Sequence, residues 1–309
     1  MGIGMAVSKS FVIWAERYLQ NKHFGKHQEC NTRCLIDKVT RFEDEHKHPM
    51  NIDSMTADDL RVFADFLSSD YDISMNTIVT NMTLMRTVCN WVRKQGVTNN
   101  DPFFGYDMPK ALYGTPYFLT IQERDQVLDA DLTDDAELAE YRDMFVFQCM
   151  VGCRHSDLVT FTPKNIIDGV LEYIPIKTKG KLGDVVRVPL IPKAMAILDG
   201  HDHGDDEPIF PKHYNFKFND AIRRILKRAK VNRVVTVINP KTRLEEKKPI
   251  SDVATSHLAR RTFIGNLYRM VKDPDLVASM SGHAKGSVAF ARYRVIDDDM
   301  KKSLVELIQ

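Results

Sequence analysis

No stretch of the 309-residue sequence stays apolar for the roughly 18–20 residues that a membrane-spanning helix needs. The opening MGIGMAVSKS has no charged leader followed by an apolar segment, so a secretory signal is not expected. Ala6 breaks the N-myristoylation pattern. Cysteine is sparse: five residues, an odd number, too few for a disulfide framework, which points to a reducing, intracellular protein. Neither sign of charge dominates, with 43 Lys and Arg against 42 Asp and Glu. Internal repeats and low-complexity tracts are also missing, which argues against disordered and fibrous classes.

The charge that is present is unevenly placed. Residues 123–143 carry nine acidic residues against Arg124 and Arg142, whereas residues 212–248 carry twelve basic residues against Asp220, Glu245 and Glu246. The second segment reads either as a binding face for a polyanion on a chain of net charge +1 or as a solvated helix plus a charged hairpin.

Periodicity divides the chain. Apolar residues recur at helical spacing in Phe11–Leu19, in Cys30–Phe42, after the Thr56/Asp59 capping box, and from Ser74 to a stop at Gly96. This predicts an all-helical unit. Pro102, Gly105, Pro109, Gly114 and Pro116 then interrupt every pattern. Beyond them the spacing predicts helices over 121–130 and 136–151, an edge hairpin from strands 170–177 and 185–190, and a basic helix over 214–230. A second hairpin is predicted around Asn239–Pro240, with helices over 256–271, 274–281 and 287–293. The fold class is mainly α with small β-hairpins, an α+β chain in domains 1–108 and 119–309, with a linker at 109–118 and a C-terminal tail at 294–309.

Three segments concentrate chemistry. In Val151-Gly152-Cys153-Arg154-His155-Ser156-Asp157, Gly152 ends a helix and Asp157 is placed to pair with Arg154. In Ser256-His257-Leu258-Ala259-Arg260-Arg261-Thr262, His257 and Arg260 share one face of a helix start, where free N–H groups favour an anion. That face continues through Ile264, Leu267 and Val271, so Arg260 is expected to be buried, and a phosphate suits its planar fork. In Ser281-Gly282-His283, Gly282 closes a helix and His283 lies just beyond it; Tyr293 follows between Arg292 and Arg294. Other polar clusters are discounted. His23, His27, Cys30 and Cys34 fall on one continuous helix, which does not wrap four ligands round one ion. The His201–Glu207 stretch reads as a polar loop. No metal site is expected.

Arg154, a hairpin lysine, His257-x-x-Arg260, Gly282–His283 and Tyr293 occur in an order that resembles the tyrosine recombinases of the phage integrase family. Further matches are Leu119–Thr120, Lys177–Thr178 and Val188-Pro189-Leu190, and the wording of SHLARRTF and GHAKGSVAFARYR is closest to Bacteroides-type mobile-element integrases. The resemblance covers nearly the whole chain. It implies a helical SAM-like core-binding domain followed by the catalytic domain. The implied function is site-specific recombination: duplex DNA is cut and rejoined through a 3′-phosphotyrosyl intermediate, for integration, excision or inversion of a DNA element.

The same resemblance implies roles. Tyr293 is the nucleophile, and Arg154 and Arg260 hold the phosphate oxygens. Lys177 is the general acid, with Lys179 and Lys181 as rivals on the same turn. His257 assists the proton at the nucleophile, His283 donates to the phosphate, and Asp157 orients the arginine and histidine side chains. Lys179, Lys212, Arg223, Arg224, Lys227 and Arg261 are the candidate DNA contacts. No cofactor or metal is required, because two arginines and a lysine supply the positive charge. The implied partners are DNA core sites, three further copies of the chain in a tetramer with exchange of the C-terminal tail, and accessory directionality or DNA-bending proteins. The implied location is the bacterial cytoplasm, at the nucleoid. The His283-to-Tyr293 interval is one residue longer than is common in the family. An N-terminal arm-binding domain is absent from the sequence or was removed from it. Two other readings compete: a type IB topoisomerase, and a catalytically silent DNA-binding protein.

Overall fold

A computed structural model of the chain describes residues 9–21, 24–178, 185–201, 204–271, 273–283 and 305–306. The chain forms two compact units. One runs to Tyr113 and takes in Ile238–Leu244; the other comprises Gly114–Val237 and the chain from Glu245 onward. No described helix is long and apolar enough to cross a membrane.

The first unit holds α1 (Phe11–Gln20), α2 (Lys26–His46), α3 (Ala57–Ser69) and α4 (Met75–Lys94). Its local signals are strong. Thr56 and Asp59 form the reciprocal capping box that starts α3, with Asp59 N–H donating to Thr56 Oγ1 at 3.3 Å and Thr56 N–H to Asp59 Oδ2 at 2.7 Å. Each helix turns an apolar stripe inward. Phe11, Tyr18, Leu35, Phe42, Phe63 and Met82 meet in one core, where Phe42 and Phe63 pack edge to face at 5.3 Å. Burial of that shared stripe, rather than helix propensity, holds such short helices together.

The second unit is built round α6 (Ala136–Val151), which follows α5 (Ile121–Leu128). Thr120 and Glu123 cap α5 reciprocally, and Asp135 Oδ1 accepts from Leu138 N–H at 2.9 Å to start α6. Every residue from Met144 to Val151 is buried, so α6 has no solvent face over its last two turns. Gly152 ends it at φ 68°, and the four-residue α7 (His155–Leu158) follows. Then come β1 (Ile166–Ile167), β2 (Val170–Tyr173) and β3 (Val186–Pro189). They form one antiparallel sheet with β2 in the centre, in the register Val170 to Pro189 and Tyr173 to Val186. The predicted strand 170–177 is therefore shorter. Pro175, which cannot donate to a ladder, lies past its end, and a 3₁₀ turn at Ile176–Thr178 replaces the last residues. Pro189 sits on the edge strand β3, where its missing N–H costs nothing.

The remaining elements are α8 (Pro192–Asp199), α9 (Asn215–Arg228), β4 (Val234–Ile238), β5 (Glu245–Pro249), α10 (Ile250–Val253), α11 (Ser256–Val271) and α12 (Pro274–Ser281). Helix α11 packs along α6 and α12 packs on β3. The buried stripe of α11 is shorter than its periodicity predicts: Ile264 is buried, Leu267 is half-buried and Val271 is exposed. The predicted helix 287–293, Lys179, Lys181, Tyr293 and nearly all of the tail lie outside the described residues.

Candidate active site

One hydrogen bond to a backbone carbonyl ties the second arginine to the turn that carries the first, more than 100 positions earlier. Arg260, on the first turns of α11, is 1% exposed and is the largest fully buried side chain. Its Nη1 donates to Gly152 O at 2.7 Å. Gly152 is the left-handed residue that closes α6, and Arg154 lies two residues on, at the start of α7. The close approach of α6 and α11 depends on Gly152. A Cβ there would lie 2.2 Å from Cδ1 of Phe263.

Arg154 is held less completely. Its Nη1 is buried without a hydrogen-bond acceptor and stands 4.0 Å from Asp157 Oδ2, which is also buried and unsatisfied. A buried guanidinium N–H with no acceptor is costly in an apo protein and suits an incoming anion. Asp157 is 1% exposed and uses its other oxygen, Oδ1, to accept from Ile176 N–H at 2.9 Å. Ile176 opens the 3₁₀ turn that carries Lys177. Asp157 thus stands beside Arg154, the pairing expected from the sequence, and also ties the Arg154 turn to the backbone beside Lys177.

The N-terminus of α11 is positioned by two asparagines of α9. Asn219 Oδ1 accepts from Ser256 N–H at 2.8 Å, and Asn215 Oδ1 accepts from Ser256 Oγ–H at 3.1 Å. The sequence reading misses both, since an Asn on a basic helix carries no signal of a partner some forty residues away. His257 follows Ser256. It keeps an exposed edge, yet crowding by protein atoms, then the charges of Arg261, Arg260, Arg154 and Lys177, pushes it down to about 4.

His283 lies just past Gly282, whose φ of 64° ends α12. A Cβ on Gly282 would come 2.9 Å from Val186 and 3.1 Å from Pro175, so α12 ends directly against the hairpin that bears Lys177. Ser281 Oγ donates to Val277 O and lies 2.8 Å from His283 Nδ1. Arg260 Nη2 lies 3.0 Å from Nδ1 and 3.1 Å from Nε2; with the Ser281 proton used, the hydroxyl accepts from Nδ1–H, so Nε2 is the ring nitrogen whose lone pair is left to accept from Nη2. Burial, then the charges of Arg260, Arg154, His257 and Lys177, pushes His283 down to about 3. Arg154, Lys177 and Arg260 are thus near enough to act electrostatically on both histidines.

Both rings are neutral in the folded protein at pH 7, and both lose affinity for protons on folding. Between the ordinary histidine value of 6.5 and about 3–4, the unfolded chain binds more protons than the folded one. Their contribution to stability is fully present above pH 6.5 and is lost as pH falls through that window. The urea midpoint is expected to drop between pH 7 and pH 5, and the His257→Asn/His283→Asn variant to drop less. An equal drop in both would show that the two rings do not set the acid limb.

The other predicted DNA contacts are dispersed. Arg261 lies over the Tyr117 ring at 5.1 Å. Arg223 pairs with Asp220 at 3.3 Å, Arg224 with Asp135 at 2.7 Å and Lys227 with Asp252 at 2.8 Å. The acidic stretch before α6 thus meets the basic face of α9 within the chain. Lys212 and Lys217 are exposed and in no ion pair with a described residue, and Lys179 lies outside the described residues. Among the described residues no cluster of three or more His, Cys, Asp or Glu could hold a metal ion.

Comparison with curated proteins finds no sequence match. Comparison with solved structures finds the same fold at low identity. An integrase of transposon Tn1549, solved in complex with a circular intermediate DNA, superposes with a TM-score of 0.73 at 15% identity, over 97% of this chain and 100% of that one. A lambda integrase dimer bound to a COC′ core site gives 0.68 at 13% identity, over 93% and 95%. Family models match on both sides of the linker: the phage integrase SAM-like domain over residues 10–108, and the phage integrase family over residues 117–300. The second match spans more than half of the chain, and the chain belongs to the phage integrase family, a tyrosine recombinase built for site-specific DNA strand transfer.

Proposed function

We propose that the cluster round Gly152 binds the scissile phosphate of a duplex DNA core site and that Tyr293 attacks it. The observation that carries this reading is the pairing of Arg260, anchored on Gly152 O, with the acceptor-free buried Nη1 of Arg154. Two guanidinium groups, Arg260 anchored in advance and Arg154 with donor capacity unused, stabilise the charge that grows on the non-bridging oxygens of a pentavalent phosphorane. His257, neutral at pH 7, accepts the proton of the Tyr293 hydroxyl as the oxygen closes on phosphorus. Lys177 gives a proton to the departing 5′-oxygen. The phosphotyrosyl ester keeps the energy of the broken bond, so religation by a 5′-hydroxyl needs no nucleotide cofactor.

His283 has two parts. In the free protein it accepts from Arg260 and so sets the guanidinium plane. A bound phosphate adds negative charge beside the ring, raises its proton affinity and converts it into a donor. Asp157 acts on position: it fixes the Lys177 turn through Ile176 N–H. Neighbouring copies of the chain assemble on two sites, with the tail exchanged between protomers, and accessory DNA-bending or directionality proteins select the direction.

Nicked duplexes carrying the flanking sequence of the element test the chemistry. The wild-type chain is expected to give a covalent protein–DNA band on a denaturing gel and Tyr293→Phe none. A band that survives in Tyr293→Phe would remove that tyrosine from the mechanism. The acid is tested separately. Lys177→Ala is expected to lose cleavage of an ordinary phosphodiester but to regain it on a substrate with sulfur at the 5′-bridging position, since a thiolate leaves without a proton. If Lys177→Ala cleaves both substrates like wild type, the acid is Lys179 or Lys181.

A further inference from the structure

The cations of α9 fall into two sets. Arg223, Arg224, Lys227 and Arg228 are all engaged by carboxylates of the same unit. The segment Lys212–Lys217 that leads into the helix differs. Lys212 and Lys217 are exposed and make no ion pair with any described residue, and between them stand the most exposed aromatic pair among the described residues of this unit. Tyr214 is 75% exposed and Phe216 68%, and their rings stack on each other at 5.9 Å with 22° between planes. Two large apolar rings kept in water by a folded segment lose burial that a core position would give them. The same segment is fixed to the phosphate-binding cluster: Asn215, between the two rings, accepts from Ser256 Oγ, one residue before His257.

We infer that Lys212–Lys217 is the base-reading element of the chain, with Tyr214 and Phe216 contacting thymine methyl groups in the major groove and Lys212 and Lys217 holding the flanking phosphates. This rests on the proposed binding of a core site at the Arg154–Arg260 centre. Charge complementarity names the occupant: the free lysines flank the rings and face the same polyanion as the arginines. Chemistry names the base. In a stacked duplex the apolar feature that a base pair presents in the major groove is the 5-methyl of thymine, whereas hydrogen-bonding edges call for Arg, Asn or Gln. The Asn215–Ser256 bond then sets the register between the bases read and the phosphate cut.

The test uses the full chain and a library of duplexes with a randomised block, recovered by native gel retention and sequenced. A parallel denaturing gel scores covalent capture. Wild type is expected to enrich a motif containing thymines. Tyr214→Ala/Phe216→Ala is expected to lose preference at those positions by about tenfold each, with the rest of the motif unchanged. Replacing those thymines by deoxyuridine should weaken wild type to a similar extent and leave the variant unaffected. Lys212→Ala/Lys217→Ala should weaken all sequences alike and lower the magnitude of the salt slope by about 2. Identical motifs from wild type and the aromatic variant, a wild-type motif without thymine, no enriched motif at all, or indifference of wild type to deoxyuridine would each overturn the inference. A thymine motif that depends on the two rings, without any covalent band from wild type, would keep it and overturn the proposed chemistry instead.

Discussion

Arg260→Ala is expected to lower the rate of covalent complex formation by about a thousandfold or more, the scale of losing preorganised donors to a transition-state oxyanion. The side chain does two things at once. Nη1 is spent on Gly152 O, and Nη2 is held against His283, so the group is aimed before DNA arrives. Alanine removes the charge, leaves Gly152 O without its donor and frees the His283 ring. Arg260→Lys separates these contributions. It keeps the charge but has no planar fork, so it cannot serve Gly152 and the phosphate together. Its rate is expected to lie between those of alanine and wild type, about a hundredfold below wild type. Single-turnover cleavage of a nicked duplex measures both. Wild-type rates in Arg260→Lys would mean that charge alone suffices and that the anchored geometry contributes nothing.

The second large effect falls on stability. Gly152→Ala is expected to destabilise the catalytic unit by about 2–5 kcal/mol, combining left-handed backbone strain with an overpacked core. At φ 68° an alanine is strained, and its Cβ would stand 2.2 Å from the Phe263 ring. Phe263 is buried and part of the main core, so the ring cannot swing out into solvent. The urea midpoint checks this, and Phe263→Ala in the same chain divides the two causes. Alanine at 263 removes Cγ, Cδ1 and Cε1, the three ring atoms that a Cβ at 152 would meet, but not the strain, so Gly152→Ala/Phe263→Ala should lie closer to Phe263→Ala than Gly152→Ala lies to wild type. If the two gaps are equal, the packing explanation fails.

What could be read from the sequence, and what could not, follows a physical line. Residues that announce their own backbone state were legible. Thr56 with Asp59 started a helix, and Gly152 and Gly282 ended two others at positive φ. The order of Arg154, His257, Arg260 and His283 was legible because each belongs to a short local motif. The bonds that join them were not. Arg260 reaches a carbonyl and Asp157 an amide N–H, and every residue but proline has both, so residue type carries no trace of these contacts. The pairing of charges was not legible for a related reason. The basic run on α9 and the acidic run before α6 look like two separate faces in sequence, and only their approach in space shows Arg224 spent on Asp135 and Arg228 on Asp134. The strand over 170–177 was overextended because its residues keep an apolar character past Pro175, where the Asp157–Ile176 bond pulls the backbone into a 3₁₀ turn.

The five thiols divide by accessibility in a way that suits optical work. Cys149 and Cys153 are sealed in the core of the catalytic unit, with burial raising both thiols far above the ordinary range, and Cys89 is pushed up to about 12 in the same way. Cys30 and Cys34 stand exposed on successive turns of α2, in the unit that does not contain the catalytic cluster. A maleimide dye offered to the folded protein should therefore attach to α2 alone. Restoring one of the two after replacing both with serine gives a single fluorophore site, and the three thiols that the core needs stay in place. Arrival, dwell and departure of individual recombinase molecules on tethered DNA can then be watched with the catalytic unit chemically untouched.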